Sequence, residues 1–173
     1  MSDTPALPRM RSWLFAPGDS DKKMGKALAG PADIVLLDLE DAVATEAKPA
    51  ARGMVRAFLE ANTADRARIW VRINPLDGPH TLDDLVAIMP ARPGGIMLPK
   101  CNGRQDIERL DHTLTAFEAM HGIARGSTPV IPLVTETGEG MLQTGSYKGA
   151  PRVAALTWGV EDLADALGAS SNR

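Results

Sequence analysis

The sequence predicts an α/β fold, specifically a (β/α)8 barrel, on three observations. Short apolar runs alternate with longer amphipathic segments along the whole chain, the rhythm of parallel strands joined by helical crossovers. The first strand is followed by FAPGDSD rather than G-x-G-x-x-G, which argues against a dinucleotide-binding open sheet. Successive apolar runs also end in charged or polar residues, and in a barrel those ends ring one mouth.

Six strand candidates follow in order: SWLFAPG (12–18), DIVLLDLE (33–40), RIWVRIN (68–74), GGIMLPK (94–100), PVIPLVTE (129–136) and VAALTWG (153–159). Unbroken apolar runs such as Ile34 to Leu37 suit strands covered on both faces. Between them, DSDKKMGKALAG predicts a helix capped by Asp19 and stopped at Gly30. TLDDLVAIM predicts one opened by a Thr81/Asp84 capping box. Segments 46–61 and 103–121 are helical by spacing, with Ala50, Val55 and Leu59 on one face and Ile107, Leu110, Leu114 and Phe117 on the other segment's face.

Read at their C-terminal ends, the runs finish in Pro17 and Gly18; Asp38, Glu40 and Asp41; Arg72 and Asn74; Lys100; Glu136; and Glu161 with Asp162. Any one of these is equally an ordinary loop charge. Five successive charged ends favour a shared pocket, and they explain why the core run IVLL is followed by DLED: the apolar half fills the barrel and the acidic half emerges at its rim. Six strands do not close an eight-stranded barrel, so the chain is expected to be truncated after about six β/α units of a barrel of ~250 residues, the alternative being a complete smaller α/β fold.

At 173 residues, 44% hydrophobic and with a formal charge of −3, the chain suits a globular domain with one core. No Lys/Arg block is interleaved with aromatics, so nucleic acid is not an expected partner. No run of 18 uncharged apolar residues and no leader pattern appears, so neither is a membrane, and the expected location is cytoplasmic. The single cysteine, Cys101, excludes an internal disulfide framework and has no obvious base beside it. His80, His112 and His121 lack metal-ligand spacing.

Taken together, RSWLFAPGDSDKKMGKAL, DIVLLDLEDAV followed by Lys48 and Arg52, VRINP, GIMLPK, TETGEG and LTWGVEDLADALGA resemble the HpcH/HpaI aldolase and citrate lyase beta-subunit family, on its citrate lyase beta-like branch. The resemblance runs from about residue 11 to the end, leaving residues 1–10 as an N-terminal extension before a barrel domain at 11–173. Glu40-Asp41 stands where the aldolases acting on free 2-keto-3-deoxy acids carry an acid-His pair.

The resemblance implies a Mg2+-dependent carbon-carbon lyase. It would cleave or condense a 3-hydroxyacyl thioester such as malyl-CoA, citramalyl-CoA or a citryl thioester. Glu136 and Asp162 match the metal-binding carboxylates, and Arg72 matches the substrate-binding arginine. Mg2+ commonly takes one or two protein carboxylates and keeps water or substrate on its remaining positions. Asp38, Glu40 and Lys100 are read as a supporting ion-pair network at the substrate pocket, and Pro17 and Gly18 as a turn that lets backbone approach the ligand. Lys22, Lys23 and Lys26 read either as contacts to CoA phosphates or as a charged helix face. The family also implies a homo-oligomer, a trimer or hexamer. No general base is identified. Two other readings stay open: an aldolase acting on free 2-oxo acids, and a noncatalytic barrel subunit that binds CoA esters.

Overall fold

The computed structural model describes residues 7–159 and 161–170. The strands are β1 (Trp13–Pro17), β2 (Ile34–Asp38), β3 (Ile69–Arg72), β4 (Gly95–Leu98) and β5 (Val130–Pro132). Between and after them run α1 (Asp21–Leu28), α2 (Lys48–Ala61), α3 (Thr81–Ile88), α4 (Arg104–Met120), α5 (Gly138–Leu142) and α6 (Glu161–Ala166). All strand pairs are parallel and the sheet order is β1-β2-β3-β4-β5. Spatial order equal to chain order is how a barrel grows, whereas a doubly wound sheet reverses direction near its middle.

Strand periodicity divides the core into two layers. Val35, Leu37, Val71, Ile96, Leu98 and Val130 face outward and bury the apolar stripes of the helices, including Met24, Val55, Leu59, Leu85, Ile88, Ile107, Leu110 and Leu114. Ile34, Leu36, Trp70, Met97, Ile131 and Leu133 face the other way and form the inner layer, with Trp13 set edge-on against Trp70 at 5.3 Å between ring centroids. Burying each such side chain contributes about 1.5–3 kcal/mol. Gly95 exists for this inner layer, because a Cβ there would collide with the Trp70 ring. Counting in twos from Ile34 and Leu36 puts Asp38 on the inner face, and from Trp70 it puts Arg72 there.

The expected sixth strand, 153–159, pairs differently from the first five. It touches β5 at Val130–Val153 and the residue just past β5 at Leu133–Thr157, both through isolated parallel bridges. Proline explains the interruption. Val130 N donates to Arg152 O and Ala154 N to Val130 O; the ladder then resumes with Thr157 N donating to Pro132 O. Pro132 has no N–H for the intervening rung, so the partner segment advances by an extra residue before it pairs again.

Several local expectations are corrected. Ser20, not Asp19, caps α1, its side chain accepting from Lys23 N. Thr81 does not form a capping box: its hydroxyl donates to Asn74 O and Pro75 O, and Asp84 is buried in an ion pair with Arg52. Ala51, not Ala50, lies on the buried face of α2. Among the described residues no helix is long and apolar enough to cross a membrane.

Candidate active site

The acidic run after β2 is built by backbone capture. Asp38 Oδ1 accepts from Glu40 N at 2.9 Å and Oδ2 from Ala42 N at 3.1 Å, which bends the chain back at the strand's end. Lys48 Nζ donates to Leu39 O at 2.7 Å and Glu40 O at 2.8 Å, and Asn74 Nδ2 donates to Leu39 O at 2.9 Å. Asn74 is held in turn by Asp84 Oδ2, whose other oxygen accepts from Arg52. The loop that carries Glu40 is thus fixed from two neighbouring crossovers. Gly18 meets it closely, its N–H donating to Asp38 O at 2.8 Å, and a Cβ there would sit 2.7 Å from that same oxygen. Pro17 pairs with Asp38 in register.

Arg72 lies one strand over. Its Nε and Nη2 donate to the two Asp38 oxygens at 2.8 and 2.6 Å, a bidentate fork. Nη1 sits 2.8 Å from Glu40 Oε2 as an ion pair, although that oxygen accepts no well-formed hydrogen bond. The guanidinium also stands 4.9 Å above the Phe15 ring, a cation–π contact that sequence reasoning did not find. Burial alone would lower the Arg72 pKa, but Asp38, Glu40 and Asp41 raise it overall, so the cation is permanent.

Lys100 joins this half of the cluster to the other. Nζ is 2.6 Å from Glu40 Oε1 and 3.3 Å from Asp162 Oδ2, while its backbone N–H donates to Glu136 Oε2 at 2.6 Å. Burial raises the Glu40 carboxyl to about 7, against the opposing pull of Lys100 and Arg72. Glu136, only 6% exposed, is also raised by burial, with the Asp162 charge adding to the shift. Thr135 and Gly159 exchange hydrogen bonds at 3.2 Å, which keeps the turn before α6 against the Glu136 loop. A Cβ on Gly159 would lie 3.1 Å from Glu136 Cγ, so a small residue leaves this carboxylate its room.

Every expected site residue except the Pro17–Gly18 turn therefore belongs to one connected cluster. Arg72 touches Glu40, Glu40 touches Lys100, and Lys100 touches both Glu136 and Asp162. Glu136 and Asp162 suit Mg2+: hard oxygen donors, two in number, with Asp162 Oδ2 buried and lacking a hydrogen-bond partner. Among the described residues no group of three or more His, Cys, Asp or Glu is arranged to hold a metal.

Other candidates sit elsewhere. Cys101 is buried and its thiol is pushed up by that burial, the opposite of an activated nucleophile. Lys22, Lys23 and Lys26 are exposed on α1. His112 is exposed on α4, and His121 stacks on Phe117 just beyond the helix. A cavity of about 620 Å³ opens at the opposite end of the strands, between Pro8, Arg66, Gly94 and Pro129, and no carboxylate lines it.

Comparison with known proteins shows the family. The model of the HpcH/HpaI aldolase/citrate lyase family matches residues 11–173. The chain is 35% identical over 161 residues to a (3S)-malyl-CoA thioesterase from Cereibacter sphaeroides, covering 91% of this chain and 51% of that protein. It is 34% identical over 151 residues to the malyl-CoA/beta-methylmalyl-CoA/citramalyl-CoA lyase of Chloroflexus aurantiacus, covering 84% of this chain and 42% of that one. The chain spans about half the length of the curated relatives it matches. Among solved structures, the CitE protein of Mycobacterium tuberculosis, crystallised with magnesium and acetoacetate, superposes with a TM-score of 0.75 at 35% identity, covering 93% of this chain and 59% of that one.

Proposed function

The chain belongs to the HpcH/HpaI aldolase/citrate lyase family, and from that premise we propose that its strand-end cluster serves a Mg2+-dependent carbon-carbon lyase acting on a 3-hydroxyacyl-CoA thioester such as malyl-CoA or citramalyl-CoA. The observation that carries this reading is the shared grip of Lys100 on Glu136 and Asp162, in the same ion-pair network as Arg72. Relatives named for malyl-CoA and citramalyl-CoA, and a similar structure crystallised with magnesium, support it.

In a retro-Claisen or retro-aldol cleavage of a 3-hydroxyacyl thioester the substrate hydroxyl gives its proton to a base, the alkoxide becomes a carbonyl as the carbon-carbon bond breaks, and the electron pair of that bond moves into a thioester enolate that is then protonated. Held by Glu136 and Asp162, Mg2+ would supply Lewis-acid stabilisation to the reacting oxygens. Arg72 contributes a permanent cation whose orientation is set by Asp38 and whose Nη1 is shared with Glu40, so a substrate carboxylate or developing oxyanion would meet it on that Glu40 side. Asp38 spends both oxygens on Arg72 and the backbone, so its task is to orient the arginine. Lys100 offsets the negative charge that Glu40, Asp41 and Asp162 gather at the mouth.

The reading extends to a homo-oligomer and to a reducing cytoplasmic compartment, which suits the free buried thiol of Cys101. Supplied with Mg2+ and malyl-CoA, the protein should release acetyl-CoA and glyoxylate. Malate and free CoA would instead assign thioester hydrolysis. Pyruvate aldol chemistry without a thioester would favour an aldolase, and CoA-ester binding without turnover a noncatalytic subunit. Glu136→Gln and Asp162→Asn should each remove most turnover; full activity in both would overturn the site.

A further inference from the structure

Lys100 meets the two carboxylates through different parts of itself. Its backbone adopts φ 52°, in the left-handed region that residues with a side chain seldom enter. That turn aims the N–H at Glu136 Oε2, 2.6 Å away. The side chain then reaches across the mouth, with Nζ 2.6 Å from Glu40 Oε1, 3.3 Å from Asp162 Oδ2 and 3.7 Å from Asp41 Oδ1. Asp162 Oδ2 is buried and accepts no hydrogen bond, so the ammonium is the positive charge that faces it.

We propose that Lys100 is a positioning residue whose ammonium stands in for the divalent cation at Asp162: it compensates that carboxylate while the cation is away, and withdraws to Glu40 when the cation arrives. The inference rests on the Mg2+ reading above. Its physical basis is like-charge exclusion. An ammonium 3.3 Å from Asp162 Oδ2 cannot keep that position beside a divalent ion on the same oxygen without strong repulsion. Glu40 gives it a second anchor at 2.6 Å, so it can leave Asp162 without losing its only partner. The backbone N–H meanwhile stays on Glu136, so one ligand is held in place throughout and the other is shared between two cations in turn.

The sign of one measurement separates this role from a simple tether. A tether, once cut, would loosen the carboxylates and weaken cation binding. A competing charge, once removed, strengthens it. Calorimetric titration of the metal-free protein with MgCl2 should therefore give tighter binding in Lys100→Met than in wild type, on the order of ten-fold, the size of a unit-charge effect on a divalent ion a few ångströms away in a well-solvated site. Lys100→Arg, which keeps the charge, should stay near wild type. Mg2+ should also raise the melting temperature of Lys100→Met by more than it raises that of wild type. Lys100→Asn, whose side chain tolerates left-handed backbone, repeats the measurement if the Met variant does not fold. Unchanged or weaker Mg2+ binding in the uncharged variants overturns the stand-in role alone. Mg2+ that fails to bind wild type, or binds Asp162→Asn equally well, overturns the metal site itself.

Discussion

Asp38 holds Arg72 by both carboxylate oxygens, at 2.8 Å to Nε and 2.6 Å to Nη2, across the β2–β3 register that pairs the two residues. The fork fixes the plane of a guanidinium that has little other freedom, since Phe15 lies against one face of it and Glu40 beside Nη1.

Asp38→Asn keeps the shape and removes the charge. It should destabilise the protein by about 3 kcal/mol, the low end for breaking a buried ion pair, since Glu40 still faces Arg72, and lower kcat/KM by about 100-fold through misplacement of Arg72. Urea unfolding and steady-state kinetics measure the two effects separately. A variant that loses stability but turns over normally would mean that Arg72 orientation does not govern the reaction.

Acid sensitivity should trace to a second buried pair, remote from the site. Burial by itself raises Glu118, but Arg152, whose Nη1 is 2.6 Å away, and the N–H groups of Thr128 and Gly126 outweigh it and hold the carboxyl below its ordinary value. A carboxyl lowered in the folded state stabilises fully above its unfolded pKa of about 4.3 and loses that contribution as pH falls through the lower folded value. Wild type should therefore lose stability as pH drops below about 4.3. Glu118→Gln should be less stable at pH 7 and depend less on pH in that window. Parallel pH–stability curves for the two proteins would refute the assignment.

Gly95→Ala tests the inner layer. The added methyl would enter the volume of the Trp70 ring, which is fully buried against Trp13. Overpacking of this kind costs about 1–3 kcal/mol. The urea midpoint should fall and the tryptophan emission should shift; no change in either would mean that the inner layer has slack there.

Much of the fold was legible because apolar runs declare strands buried on both faces, and period two then assigns Asp38 and Arg72 to the same inner surface. The sixth strand is interrupted although its own residues suit one, because the fault lies in its neighbour: Pro132 withholds the N–H that the ladder needs. Helix starts were displaced by a residue where two cap formers stand side by side, as with Asp19 and Ser20.

At the site, the strand-end charges were visible as a pattern, and their distances were not. Nothing local marks Asp84, Arg52 and Lys48 as buried, since charged residues on helices usually face water; Arg52 and Asp84 are inside because they pair with each other between two crossovers, and Lys48 because it donates to the backbone of the loop after β2. The Phe15 contact with Arg72 and the left-handed backbone of Lys100 are likewise products of tertiary packing. Lys100 was readable as one member of an ion-pair network, but its reach to both Glu136 and Asp162 required the loops to be placed.

The most direct test is to locate the cation. Crystals of the protein soaked in Mn2+ as a substitute for Mg2+, with anomalous scattering recorded, should show one peak bridging the Glu136 and Asp162 carboxylates, and Glu136→Gln or Asp162→Asn should abolish it. A peak elsewhere with those two carboxylates unoccupied, or the same peak persisting in both variants, would contradict the account.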